Sequence, residues 1–283
     1  MDAVDDTMER SSAAAAAAGI QPGGYLLELS PDWIVRRASE NIHHLLGESH
    51  VTLIDEPLGR FVHSQALHDL RNLFARLSGT TGIGRAYAVR LTDDPDLVDI
   101  AFQFVEGRVL LEAVHAETTF GEHFGSVGGL IAGLAGSHGQ ALLDGGTRRM
   151  RALTGYDRVM LRWGAHRCES SRGLFAGPSE PGAIPPPILA DREAEPIALF
   201  PRRPTGAANR ALMGRCDEAA RASLDRCGVR ACMSLPFSSG GIDGEFRCES
   251  RVPRAASFEL HAAAELFAQM FGLRLEIDGR AAG

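Results

Sequence analysis

Between Gly173 and Gly206 the chain carries eight prolines in 34 residues. Proline has no amide hydrogen and a fixed φ, so this stretch predicts neither a helix nor an interior strand. A connection of this length inside a compact domain is usually functional, or the remnant of something functional. The rest of the second half has to be arranged around it.

The flanking patterns are regular. "GYLLELSPDWIVRRAS" (24–39) reads strand, turn at Ser30-Pro31-Asp32, strand. "ENIHHLLG" is a short amphipathic helix stopped by Gly47, and "LGRFVHSQALHDLRNLFARLSG" repeats apolar residues at helical spacing. "RAYAVRL", "LVDIAFQFVEG" and "RVLLEAVHAE" follow as three antiparallel strands. Helical spacing returns from about Leu130 to Leu153, loosened by glycines. "YDRVMLRW" is a strand, "AANRALMGRCDEAARASLDRCG" a helix, and "RACMSLPF" with "GEFRCES" a hairpin. The chain closes on a helix N-capped by Ser257, with an apolar stripe through Leu260, Ala263, Leu266, Phe267, Met270, Phe271 and Leu275. This order is α+β, not the strict alternation of a parallel α/β sheet. The predicted division is a flexible leader over 1–19, a first domain over 20–115, a linker and helix start over 116–139, and a second domain over 140–283.

Composition narrows the chemistry. A hydrophobic fraction of 45%, a charged fraction of 23% and a net charge of −7 describe a soluble globular protein and argue against nucleic acid as a partner. All 29 basic residues are arginine, which excludes Schiff-base chemistry and a Walker-type phosphate loop, since both need lysine. The most apolar run, Gly128 to Gly136, is too short to span a membrane, and the acidic N-terminus is unlike a signal peptide, so a cytoplasmic protein is expected. The five cysteines, at 168, 216, 227, 232 and 248, contain no C-x-x-C and are expected as thiols. His166 and Cys168 with Cys227 and Cys232 fit no zinc spacing, so no metal is expected. His43-His44 on a short helix reads as an exposed pair, with haem ligation the alternative. There is no Ser-His-Asp order, carboxylate pair or glycine-rich phosphate loop, so the chain is not expected to be an enzyme.

Four stretches carry a resemblance. "IQPGGYLLELSPDWIVRRASENIHHLLG" resembles the opening of a bacterial phytochrome PAS domain. "LTGYDRVM" is similar to the first strand of the phytochrome GAF domain, "LDRCGVRACMSLPF" to a later GAF segment, and "AAELFAQMFGLRLE" to the GAF-terminal helix. They fall in order over residues 20 to 277. The resemblance implies a PAS domain followed by a GAF domain, each an antiparallel sheet with flanking helices, and an N-terminal segment passing through a GAF loop as a lasso. No third phytochrome domain and no output domain are seen in the sequence.

The resemblance also implies a tetrapyrrole pocket, and its residues are altered. No cysteine lies in residues 1–19, where bacterial members attach biliverdin, and the GAF attachment position falls on Ala219, with Ala220 in place of the following histidine. The family's Asp-Ile-Pro reads Ala183-Ile184-Pro185, a pocket tyrosine reads Arg162, and a strand ending Cys-His-His reads Cys248-Glu249-Ser250. Tyr156, Met233 and Cys216 complete the expected remnant of the pocket, with Cys216 an ordinary helix cysteine or a shifted attachment site. Arg162 and Glu249 are expected to face inward on neighbouring strands and pair, closing the site. These changes imply a non-enzymatic sensory or adaptor protein without a covalent chromophore. It would act through a homodimer or through contact with a kinase or regulator. The alternatives are a photoreceptor holding biliverdin or another tetrapyrrole non-covalently, and an enzyme acting on haem or a bilin.

Overall fold

The computed structural model describes residues 19–77, 82–117, 121–177, 185–202 and 207–282. Apart from Gly19, the 1–19 leader lies outside these residues. Contacts group the chain into two compact units. The first takes residues up to Glu117 together with Ala194–Asp217, and the second takes Thr118–Glu193 with Glu218 onward. The 194–217 segment, read from sequence within 140–283, thus groups with the first unit.

In chain order the first unit contains β1 (Gly19–Ile20), β2 (Gly24–Leu29), β3 (Val35–Ser39), α1 (His43–Leu46), α2 (His50–Leu53), α3 (Ser64–Leu77), β4 (Gly84–Val89), β5 (Val98–Val105) and β6 (Arg108–His115). The second unit contains α4 (Glu122–Ala132), α5 (Gly139–Thr154), β7 (Arg158–Trp163), β8 (His166–Ser171) and β9 (Ile188–Leu189). The chain then returns to the first unit for β10 (Ile197–Phe200), before the second unit is completed by α6 (Glu218–Arg226), β11 (Ala231–Ser239), β12 (Ile242–Ser250) and α7 (Phe258–Ala282).

The first unit is a seven-stranded antiparallel sheet in the order β1-β10-β3-β2-β6-β5-β4. Alternate residues such as Leu27, Leu29, Phe102, Val109 and Leu111 pack in one core with Leu45, Leu46, Leu67 and Leu70 of the helices. That is the period-two burial of a strand meeting the 3.6-residue stripe of a helix. β10 corrects the expectation drawn from the prolines. Residues 197–200 form a proline-free window between Pro196 and Pro201, and this window sits between β1 and β3 with both edges paired.

The 194–217 segment holds residues 19–21 from two sides. On one side Gly19 pairs with Ala198 and Ile20 with Ile197. On the other, Gln21 N–H donates to the Met213 carbonyl at 3.0 Å, Arg215 N–H donates to the Gly19 carbonyl at 3.0 Å, and Ile20 forms a bridge to Gly214. The Gln21 side-chain amide adds a bond to the Gly214 carbonyl at 3.2 Å, and Ile20 is fully buried. The resemblance implied a lasso through a loop of the second domain; among the described residues, 19–21 are held by a segment that groups with the first unit. The helix read over 207–228 is correspondingly reduced to a 3-10 turn at Ala207–Arg210 and to α6. The intervening amides are committed to other partners: Leu212 and Met213 N–H donate to the two oxygens of Glu112 on β6 at 2.7 and 2.9 Å.

The second unit is a five-stranded antiparallel sheet, β8-β7-β12-β11-β9, with α4, α5 and α7 on one face. The helix expected from Leu130 to Leu153 is two helices, interrupted around Gly133–His138, where Gly136 takes a left-handed φ of 78°. α5 lies close to α7: a Cβ at Gly146 would come within 2.2 Å of the Phe271 ring, so only glycine permits this approach. Ser257 caps α7 as read, its hydroxyl accepting Leu260 N–H at 3.2 Å.

Burial pushes the Glu112 carboxyl from 4.5 up to about 7, against the pull of its two amide donors and Arg85. The folded state therefore holds this proton more tightly than the unfolded chain. Glu112 contributes stability below about pH 4.5 that is lost as pH rises through about 7. Urea titrations across that window should show wild-type stability falling with pH more steeply than that of Glu112→Gln. Glu112→Ala should lose about 1–3 kcal/mol for each stranded amide.

Candidate functional site

Pleating divides the strands of the second sheet into two faces. Val159, Leu161, Met233, Leu235, Phe237, Phe246 and Cys248 face the helices and form the core. Their chain neighbours, Arg158, Met160 and Arg162 on β7, Glu245, Arg247 and Glu249 on β12, and Cys232, Ser234 and Pro236 on β11, take the opposite face. The register sets Arg158 beside Glu249, Met160 beside Arg247, and Arg162 beside Glu245.

Two ion pairs result, and they differ in kind. Arg162 donates to Glu245 at 2.5 Å with side chains 39% and 23% exposed. Arg158 donates to Glu249 Oε2 through Nε at 2.8 Å and Nη2 at 2.5 Å, with side chains only 2% and 0% exposed. The Arg158 guanidinium also donates to the Gly177 carbonyl at 2.8 Å and stacks 4.0 Å from the Phe175 ring centre. Charges so deeply buried persist only when paired and hydrogen-bonded. Arg247, 7% exposed, places Nε 3.2 Å from the other Glu249 oxygen.

Glu249 therefore does face away from the core and does pair, but its partner is Arg158, not Arg162. The expected pairing was four residues out of register. The anchors that set the register are Phe246 against Leu161 and Gly244 against Trp163. A Cβ at Gly244 would meet the Phe237 ring at 2.4 Å.

The other expected pocket residues do not share one surface. Tyr156, Met233 and Cys248 belong to the helix-facing core, with Met233 and Cys248 directly paired across β11 and β12. Burial raises the Tyr156 phenol and pushes the Cys248 thiol up to about 12, so Cys248 is protonated and unreactive near neutrality. Ala219 is exposed on α6 while Ala220 is buried. Cys216 is buried and groups with the first unit, Pro185 is buried, and Ala183 and Ile184 lie outside the described residues. All five cysteines are buried thiols. Among the described residues no cluster of three or more His, Cys, Asp and Glu is arranged to hold a metal. His43 and His44 are exposed neighbours with ring centres 3.9 Å apart. A separate cleft of about 540 Å³ opens in the first unit, lined by α3 and β4 with the residues flanking them, including His63, Asp69, Tyr87 and Arg90. No helix among the described residues is long and apolar enough to cross a membrane. Sequence reasoning missed Arg158, Arg247 and Phe175; the alternation of β7 marked Arg158 and Arg162 as face-mates, but only the register chooses between them.

Residues 11–112 match a family described as PAS fold. The chain is similar to the chromophore-binding domain of an unusual bacteriophytochrome, RpBphP3, from R. palustris, with a TM-score of 0.71 at 22% identity over 93% of this chain and 96% of that one. The corresponding domain of a Stigmatella aurantiaca phytochrome gives 0.71 at 21% identity, over 92% and 95%. The photosensory core module from the same organism gives 0.74 at 21% identity, over 92% of this chain and 58% of that one. No curated protein matches the sequence significantly. The chain thus has the PAS-GAF fold of a bacteriophytochrome chromophore-binding domain.

The two ion pairs should respond differently to truncation. Glu249→Ala strands Arg158 and should cost about 3–5 kcal/mol, whereas Glu245→Ala, at the exposed pair, should cost about 1 kcal/mol or less. Chemical denaturation of the two variants measures both.

Proposed function

We propose that this chain is a phytochrome-like PAS-GAF sensory module that has no covalent bilin and signals by contact with other proteins, not by catalysis. The observation that carries this reading is the buried Arg158–Glu249 pair under Phe175. Glu249 stands at the strand position where the resemblance implies a histidine beside the chromophore. Here that position is an anion locked to the chain's own arginine, so it offers a pyrrole system no neutral donor. The thiol inventory supports the same reading: Cys248 is inaccessible and strongly protonated, and the attachment position on α6 is an alanine. The similarity to chromophore-binding domains supports a sensory role, and the sequence resemblance makes tetrapyrroles the ligand class to test first.

The partner surface in this reading is α7. Leu266, Met270, Leu273 and Ile277 are spaced four, three and four apart, and Leu266, Leu273 and Ile277 are 40%, 62% and 62% exposed. That spacing is a single apolar seam along a helix, the pattern used when two helices pack side by side. We assign it to a homodimer contact.

Co-expression with a biliverdin source should give protein without far-red absorbance, and a zinc-treated denaturing gel should show no fluorescent band. A photoconverting far-red band would replace this reading with that of a non-covalent photoreceptor. In light scattering, Leu273→Glu should convert a dimer to a monomer; equal masses for variant and parent would remove α7 as the interface.

A further inference from the structure

β4 forms one edge of the first sheet, and α3 runs beside it. Between them lies the cleft of about 540 Å³. That volume is within the range of roughly 300–1,000 Å³ in which small-molecule sites fall. Its floor is apolar: Leu70 is buried, and Leu73, Ala86 and Val89 pack against the core beneath. The strand wall is irregular. The pairing of β4 with β5 shifts between Ala86 and Val89, and Ala88 takes a φ of 51°, a left-handed conformation uncommon for alanine. The buried Asp99 carboxylate holds this bulge, accepting Ala88 N–H at 3.0 Å. Such a conformation persists only where its surroundings fix it, and here it shapes the wall of a cleft.

The unmatched polar groups gather at one end. His63 N–H donates to the Leu91 carbonyl at 2.8 Å, which brings their chain neighbours Ser64 and Arg90 together at the start of α3. The other charged side chains bordering the cleft have partners: Asp69 accepts from the Gln65 amide at 3.0 Å, and His63 Nε2 lies 3.4 Å from Asp93. Arg90 and the Ser64 hydroxyl have none among the described residues. From Ser64, α3 continues along the trough to Leu73, about 13 Å further on the helix axis. The cleft is thus an apolar trough with an unpaired cation at one end.

We infer that this cleft binds a small amphipathic organic acid, its carboxylate on Arg90 and the Ser64 hydroxyl and its apolar body over Leu70 and Leu73. The planar guanidinium fork matches two carboxylate oxygens. Asp69 sets the orientation, since an acid bound the other way round would bring its carboxylate toward a like charge. The apolar body covers a floor that otherwise lies open to water. The site is built within the first unit, so it goes beyond the reading above and stands whether or not the second unit holds a bilin.

The test titrates the full chain with octanoate, octanol and octylammonium, which share a tail and differ in the charge of the head. Calorimetry should show saturable one-to-one binding of octanoate, weaker binding of octanol and none of octylammonium. Arg90→Gln, a change at an exposed side chain, should weaken octanoate about tenfold, the factor for a hydrogen bond to a charged group, and leave octanol unchanged. Ala86→Phe, which fills the trough, should abolish binding of both. Absence of saturable octanoate binding overturns the proposal, and so does unchanged octanoate affinity in Arg90→Gln. Octylammonium binding as tightly as octanoate overturns the assignment to acids. Full octanoate affinity in folded Ala86→Phe places the ligand elsewhere and overturns the site; should that variant fail to fold, the Arg90→Gln comparison decides alone.

Discussion

The first unit depends on one carboxylate. Glu112 lies in the middle of β6, on the face turned away from the main apolar core, and both its oxygens are occupied by backbone amides of Leu212 and Met213. Without an acceptor there, a segment rich in small apolar residues would bring two unpaired N–H groups onto a dry sheet surface. With it, Ala207, Ala208, Ala211, Leu212 and Met213 are all buried, and the Met213 carbonyl is placed to receive Gln21. The N-terminal strand is thus fixed at second hand. Glu112 sets the segment, and the segment sets Ile20.

The second unit solves a different problem. Its sheet has one face committed to Phe246, Phe267, Phe271 and the helices, and the other face carries arginines and glutamates. Burial separates their roles. The Arg162–Glu245 pair is open to water and screened, so it sets little more than local geometry. The Arg158–Glu249 pair is sealed, bonded through three donors of one guanidinium to Glu249 and Gly177, and roofed by an aromatic ring.

Much of this was legible in the sequence because it is local. The Ser257 cap, the stripe of α7, the three-strand meander and the turn after Leu29 all follow from spacing within a dozen residues. The features that were misread are non-local. Ile197–Phe200 has the composition of a strand, but its partners are more than 150 residues away in β1 and β3, and the surrounding prolines masked it. The break between α4 and α5 follows from glycines whose left-handed conformation no helical periodicity reveals. The partner of Glu249 depends on a register set by Phe246, Leu161 and a glycine that must lie under Phe237. The changed residues at 162, 219 and 249 could be named from the resemblance, but what each now touches could not.

The embrace of residues 19–21 has a consequence for the order of events during synthesis. These residues leave the ribosome long before the groups that bond them, which run from Ile197 to Arg215 and follow nearly two hundred residues later. β2 to β6 can form a meander from near neighbours, but the β1 edge of the sheet has to wait for most of the chain. Contacts of such long separation slow folding, because the closure entropy is spent before any bond repays it. The same arrangement acts in reverse once the chain is complete. Ile20 sits between two stretches of a single segment, so it is released only when that segment lets go of Glu112 or of β3. Residues 19–21 are therefore among the last parts to be fastened, and they are held by bonds on both sides.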